Sequence, residues 1–263
     1  MTPDLYFALT LLVKMAVTAG FLLAATIVAE RAGPLIGGLV ATLPISAGPV
    51  YIFLALDHDA QFIAQSALGS LVTNALNVVF AVIYALLAQR GSLPVSLGGA
   101  FAMWFGLSWA VGLVQWTLPL GIALNIAIIA VSLAVVHPLR HVRVAATPTR
   151  WYDLVLRASM VALLVGVVVT LSFTIGPTAS GNLAVFPIVL SSIMIILHRR
   201  IGGKPTAAIM ANAVVGLAGF AIAVVTLNLT AVSLGSPLAL TLALAVSVGC
   251  NVLIYFSRRR GLI

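Results

Sequence analysis

The chain is a succession of long apolar runs separated by short polar or Gly/Pro-rich breaks. Cutting at charges and at Gly/Pro punctuation gives nine runs: residues 5–29, 34–56, 61–89, 94–116, 119–138, 152–174, 180–198, 205–231 and 236–257. A membrane-spanning helix needs about 20 apolar residues, so the pattern predicts nine spans. One break, Trp116-Thr117-Leu118-Pro119, carries no charge. A single helix over residues 94–138 would be far too long to cross a bilayer, so two helices are expected there.

The punctuation repeats. Residues 30–44 read ERAGPLIGGLVATLP and residues 173–187 read FTIGPTASGNLAVFP, 143 positions later. At this offset Pro34, Pro44 and Pro94 align with Pro177, Pro187 and Pro237. Gly33, Gly38 and Gly106 align with Gly176, Gly181 and Gly249. Proline and glycine fix local backbone shape, so their shared register argues shared architecture. The first copy holds spans 1–4 and the second spans 6–9. Five spans precede the second copy, and that odd number turns it over. The expected fold is therefore an all-α polytopic membrane protein of nine transmembrane helices. Two inverted four-helix repeats, residues 1–118 and 151–263, are joined by a linking fifth helix and a basic loop within residues 119–150.

Loop charges test this count. With nine spans, one face collects Arg31, Arg90, Arg140, Arg143, Arg150, Arg199, Arg200, Lys204 and Arg258, Arg259 and Arg260. The other face collects Asp4, Asp57 and Asp59. One span more or fewer would scatter the basic loops over both faces. Positive loops stay cytoplasmic, so the amino terminus is expected outside and the carboxyl terminus inside. Composition agrees: 62% of residues are hydrophobic and 7% charged, against about 25% charged in a soluble domain. The net charge of +8 follows from the loop bias, so no nucleic-acid partner is expected. The single Cys250 excludes an internal disulfide and a cysteine metal cluster.

Candidate chemistry gathers in a few spans. Spans 2 and 7 each open with Gly-Pro and hold a second proline further in, Pro44 and Pro187. A mid-helix proline frees a carbonyl and kinks the helix. Thr42 and Ser46 in span 2, and Asn182, Ser191 and Ser192 in span 7, are polar groups near those prolines. Interrupted helices at corresponding positions of inverted repeats point to a midplane binding site. In span 3, Ser66, Ser70, Thr73 and Asn77 share one helix face with Asn74 beside them. Such a stripe faces other helices or a wet cavity, and hydrogen bonding between helices accounts for it as well as cavity lining does. Its counterpart in span 8 is Asn212 with Gly216 and Gly219.

Lys14 stands apart as the basic residue well inside the bilayer from the outer side. An intramembrane charge is a functional candidate by default, although a lysine can also snorkel to the interface. A functional Lys14 would point to an anionic substrate or a lipid headgroup. No carboxylate falls in mid-membrane, so coupling through a buried acid is not expected. His58, His137, His141 and His198 sit at span ends. His137 and His141 share a helix face, but Pro138 and neighbouring arginines argue against a metal there. No nucleophile–base pair or phosphate-binding loop is present, so neither an enzyme nor a cofactor is expected.

The segment ERAGPLIGGLVATLPISAGPVYIFLALD joins a charged Gly/Pro turn to a Gly-rich helix containing Leu-Pro. It resembles the GlpM-like modules, small bacterial membrane proteins about one repeat long. The pattern returns more weakly at Gly176 to Pro187. The resemblance implies a duplicated, fused module in a bacterial inner membrane and carries over no functional residue. The expected function is a secondary transporter or facilitator for a small anionic or amphipathic solute. A lipid-handling protein or flippase, and a non-transporting scaffold for envelope biosynthesis, are the alternatives. The expected partners are a small-molecule or lipid substrate and membrane lipids, and the arrangement is compatible with a homodimer. The candidate binding residues are Lys14, Thr42, Pro44, Ser46, Ser70, Asn74, Asn77, Asn182, Pro187, Ser191 and Asn212.

Overall fold

The computed structural model describes residues 3–31, 47–140 and 150–259. Pro34, Thr42, Pro44 and Ser46 of the expected second span lie outside the described residues, as does His141. Among the described residues there is no strand. The helices are α1 (Pro3–Arg31), α2 (Ala47–Asp57), α3 (Ala60–Leu87), α4 (Leu93–Gly112), α5 (Leu118–Arg140), α6 (Trp151–Ala184), α7 (Ile188–Ile201), α8 (Gly203–Leu234) and α9 (Ser236–Arg259). Seven stretches are long and apolar enough to cross a membrane, one of them, Trp151–Ile201, taking in both α6 and α7, while α2 is a shorter apolar helix. With 11 and 14 residues, α2 and α7 are too short to cross alone. The protein is thus all-helical and of the multi-pass membrane type.

Local chemistry sets the helix ends. The Asp59 carboxylate accepts the Phe62 N–H at 2.8 Å and starts α3. Pro94 and Pro237 stand in the first turns of α4 and α9, where a proline loses nothing. The uncharged break at Trp116 is real, since α4 stops at Gly112 and α5 starts at Leu118. Gly235, with φ of 79°, turns the chain between α8 and α9.

The chain departs from a simple kink around Pro187. Two interruptions bracket a short helical segment. Inside α6 the backbone turns at Gly176, with φ of 76° and ψ of 177°, a conformation that glycine alone adopts readily. Residues 177–184 then form a separate helical piece. A second interruption follows at Val185–Pro187, where α6 ends and α7 begins. Pro187 has no N–H to give, so a full break replaces the expected bend.

Two compact units share the chain, and each draws on both halves of the sequence. Unit 1 comprises residues 1–70, 150–185 and 222–263. In it α1 and α2 both pack on α6, and α9 packs on α2. Unit 2 comprises residues 71–149 and 186–221. Its core sets Phe80, Tyr84 and Trp104 against Met194, Ala207 and Met210, with a second cluster of Val78, Val82, Val136, Ala211 and Val214. Of the long helices α3 is the most enclosed, with 78% of its apolar window buried. By contrast, α1, α4, α5 and α9 present rows of exposed leucine, valine and phenylalanine. An apolar exterior of this kind suits lipid.

Two pairs of helices keep the sequence offset. Ala60 and Gly203 open α3 and α8, and Leu93 and Ser236 open α4 and α9, each pair 143 residues apart.

Candidate functional site

In unit 1 the polar stripe of α3 is consumed by backbone. Ser66 donates to the Pro177 carbonyl at 3.0 Å, and Ser70 donates to the Gly181 carbonyl at 2.7 Å. The same spacing of four on both strands of contact means that 177–184 lies parallel to the start of α3. Glycine makes the approach feasible. A Cβ on Gly181 would stand 1.9 Å from the Ser66 carbonyl oxygen, and one on Gly69 would stand 2.3 Å from that of Thr178. Because Ser70 spends its only proton on Gly181, the Tyr51 hydroxyl must be the donor in their 2.7 Å bond. Asn182 presents its side-chain oxygen to Gly69. Both accepting carbonyls belong to the short segment 177–184, and that of Gly181 lies in its last turn, where carbonyls lose their helical partners.

Lys14 is not solitary. Its ammonium bonds both oxygens of Asp57, at 2.7 and 2.5 Å, and lies 5.7 Å from the centre of the Phe53 ring. The two side chains are only 12% and 19% exposed. The pair ties α1 to the end of α2. His58 follows directly, stacked on Phe62 at 3.8 Å and bonded to Ser172 at 2.8 Å. Ser172 already donates to the Val169 carbonyl, so His58 Nε2 carries the proton and donates. Burial lowers the His58 pKa below its usual 6.5; Asp57 and Asp59 oppose this and Lys14 adds to it. A groove of about 330 Å³ runs between α1 and α6, lined by Leu11, Met15, Leu163, Gly166, Val167, Thr170 and Leu171.

In unit 2 a network of neutral amides lies among the buried polar groups. Asn125 donates to the carbonyls of Leu71 and Gly121, at 2.8 and 2.9 Å. That fixes its oxygen toward Asn74, whose Nδ2 donates to it at 2.9 Å and to the Leu217 carbonyl at 3.1 Å. Every donor is placed, so the network has one orientation. Asn74 Oδ1 remains as a fully buried acceptor without a protein partner. Trp104 donates to Asn77 at 2.9 Å. Asn212 donates to the carbonyls of Arg140 and Ala208. Ser191, buried, donates to the Pro187 carbonyl at 2.6 Å.

The path of α3 and α8 is set by these contacts. In unit 2, Asn74 meets Leu217, while a Cβ on Gly203 would stand 2.2 Å from the Ala88 carbonyl. In unit 1, Asn228 donates to the Ala64 carbonyl at 2.7 Å. From 74 and 217 to 88 and 203 the number rises along one helix and falls along the other, so within unit 2 the two run antiparallel. Asn74 is 14 and 13 residues from the two ends of α3.

Of the expected residues, Ser70 and Asn182 come together in unit 1, where Lys14 binds Asp57. Asn74 gathers with Asn125 and Leu217 in unit 2, and Ser191 with Pro187. Asn125, Asp57 and Trp104 are participants that the sequence reading left aside. For Asn125 a signal existed: an asparagine in an otherwise apolar span must find partners. Comparison with family models, characterised proteins and solved structures finds no match to this chain.

Proposed function

We propose that the protein is a secondary transporter or facilitator that moves a small anionic or amphipathic solute by alternating access between two inverted repeats. Nine spans follow on this reading. The seven long helices supply seven crossings, with α6 crossing before Gly176. Residues 177–201 form one discontinuous span, and α2 ends another.

The observation that carries this reading is the α3–α8 pair. Its members occupy matching places in the repeat, start 143 residues apart and run antiparallel. Residue 217 is the repeat counterpart of residue 74, so the contact joins a residue to its own equivalent. That is what a two-fold axis in the membrane plane would produce, and such an axis lets one site face either side. The discontinuous span adds the usual site element, since no side chain caps the start of α7 and the positive end of a half-helix favours an anion. The anionic group of the solute would sit at the start of α7, and Asn74 Oδ1, an acceptor, would serve only a donor group. Lys14 serves less directly, because Asp57 already neutralises it. The α1–α6 groove favours a second reading, lipid handling with lateral entry, as it is lined almost wholly by apolar atoms.

The orientation is testable with single cysteines at positions 58 and 201 in a Cys250→Ser background. A membrane-impermeant maleimide should label His58→Cys in intact cells and Ile201→Cys only after permeabilisation. Labelling of both from one side would end the inverted-repeat reading. Uptake by reconstituted protein across a panel of anionic solutes tests transport itself.

A further inference from the structure

The joint between α2 and α3 carries one side chain that ties it to α6. α2 ends at Asp57 and α3 begins at Ala60. The His58 N–H still donates to the Leu54 carbonyl at 2.8 Å, so the last turn of α2 presents the imidazole. Its Nε2–H reaches Ser172 of α6, 2.8 Å away. The Phe62 ring stacks on it at 3.8 Å, and the centre of the Phe173 ring stands 4.8 Å from it. One turn beyond Ser172 the backbone of α6 swings at Gly176. The imidazole therefore fastens the end of α2 to the last turn of α6 before the interruption. All of these residues belong to unit 1.

Of these groups the imidazole is the one that titrates near neutral pH. The charges around it are Lys14 on α1, Asp57 at the end of α2 and Asp59 at the start of α3. On α6 it meets Ser172 and Phe173. α9, which packs on α2, has no charged or titratable residue before Cys250. α8, which meets α3 at Ala64, has none from Ile222 to Leu234. Asp57 takes both bonds from Lys14, and Asp59 takes the Phe62 N–H. Each carboxylate thus has a partner other than the imidazole. A proton added at Nδ1 would put a charge beside two aromatic rings, and burial outweighs the pull of the carboxylates. The closed joint binds that proton less readily than an open, hydrated one, so acid favours opening.

We propose that His58 is an acid-sensitive latch: while neutral it ties α2 to α6, and on protonation it lets go and frees the stretch of α6 that leads into Gly176. The device stands apart from the transport reading, since it needs only these helices and one imidazole. On the nine-span reading it faces outward, and the stimulus is external acid. What it releases is the segment whose carbonyls Ser66 and Ser70 hold.

The test is hydrogen–deuterium exchange of the full-length protein in detergent, read by mass spectrometry. It compares about pH 7.5 with about pH 5, with exchange times scaled for the intrinsic rate. In the wild type, protection of residues 172–184 should fall about tenfold in acid, the change that one unit of proton linkage brings. Protection of residues 74–84, in the middle of α3, should hold, which separates local release from unfolding. His58→Gln keeps an N–H for Ser172 but has no proton to gain, so residues 172–184 should stay protected at both pH values. Ser172→Ala removes the tie and should leave them weakly protected at both. A pH response that survives in His58→Gln would overturn the latch, as would equal protection of the wild type at both pH values. A loss spread along the whole chain would also overturn it, as general unfolding in acid.

Discussion

Unit 1 and unit 2 solve the problem of polar groups in lipid differently. Unit 1 takes charges and pairs them, Lys14 with Asp57, at the end of a short helix. Unit 2 joins asparagines to each other and to carbonyls, half-way along α3. Position along a helix explains the division. A charge is costly deep in hydrocarbon and tolerable near an interface, whereas an amide needs only partners of the right geometry. The ion pair is therefore suited to hold α1 on α2, and the amide network to hold the place where α3 and α8 cross.

The contrast can be tested from its strongest side down. Asp57→Asn leaves the Lys14 ammonium without its counter-charge in a site that is largely closed, and should destabilise the protein by about 2 kcal/mol. Adding Lys14→Met should recover much of that. A double-mutant cycle from thermal melts in detergent reads the coupling, and additive effects would reduce the pair to a surface contact. Asn125→Leu strands the Asn74 amide instead and should cost about 1 kcal/mol, in keeping with hydrogen bonds between membrane helices. A loss larger than that of Asp57→Asn would reverse the ranking of the two units.

The smallest effect concerns acid. The fold holds His58 below its usual pKa of 6.5, so the folded state binds this proton less readily than the unfolded state. Stability from this source is complete above pH 6.5 and is lost as pH falls through the lower, folded value. His58→Gln should flatten that part of the melting profile. Asp57→Asn should deepen it, because the carboxylate that draws the pKa up is gone.

Much of the fold was legible in the sequence because glycine and proline act locally. The break at Trp116 and the turn at Gly176 follow from residues at or beside the feature. The stripe of Ser66, Ser70, Thr73 and Asn77, with Asn74 beside it, could also be read, since helical spacing alone puts it on one face. What it would bond to was not readable. Lys14 and Asp57 are 43 residues apart, and Asn74 and Asn125 are 51 apart; no spacing rule connects them. The second interruption at Val185 was hidden because a proline signals either a bend or a break, and the packing around it decides which.

On the inverted-repeat reading proposed above, the bond from Asn74 to the carbonyl of Leu217 bears on ancestry. Where two identical subunits cross on a symmetry axis, the residue at the crossing must face another copy of itself. Any substitution there is made twice, and a change that suits one side has to suit both. Asparagine opposite leucine is an arrangement that two separate identical subunits cannot reach. Once both copies lie in one gene, each side mutates alone. On that reading the crossing point would be the position where fusion gave selection the most new freedom, and the unlike pair found there would be its product.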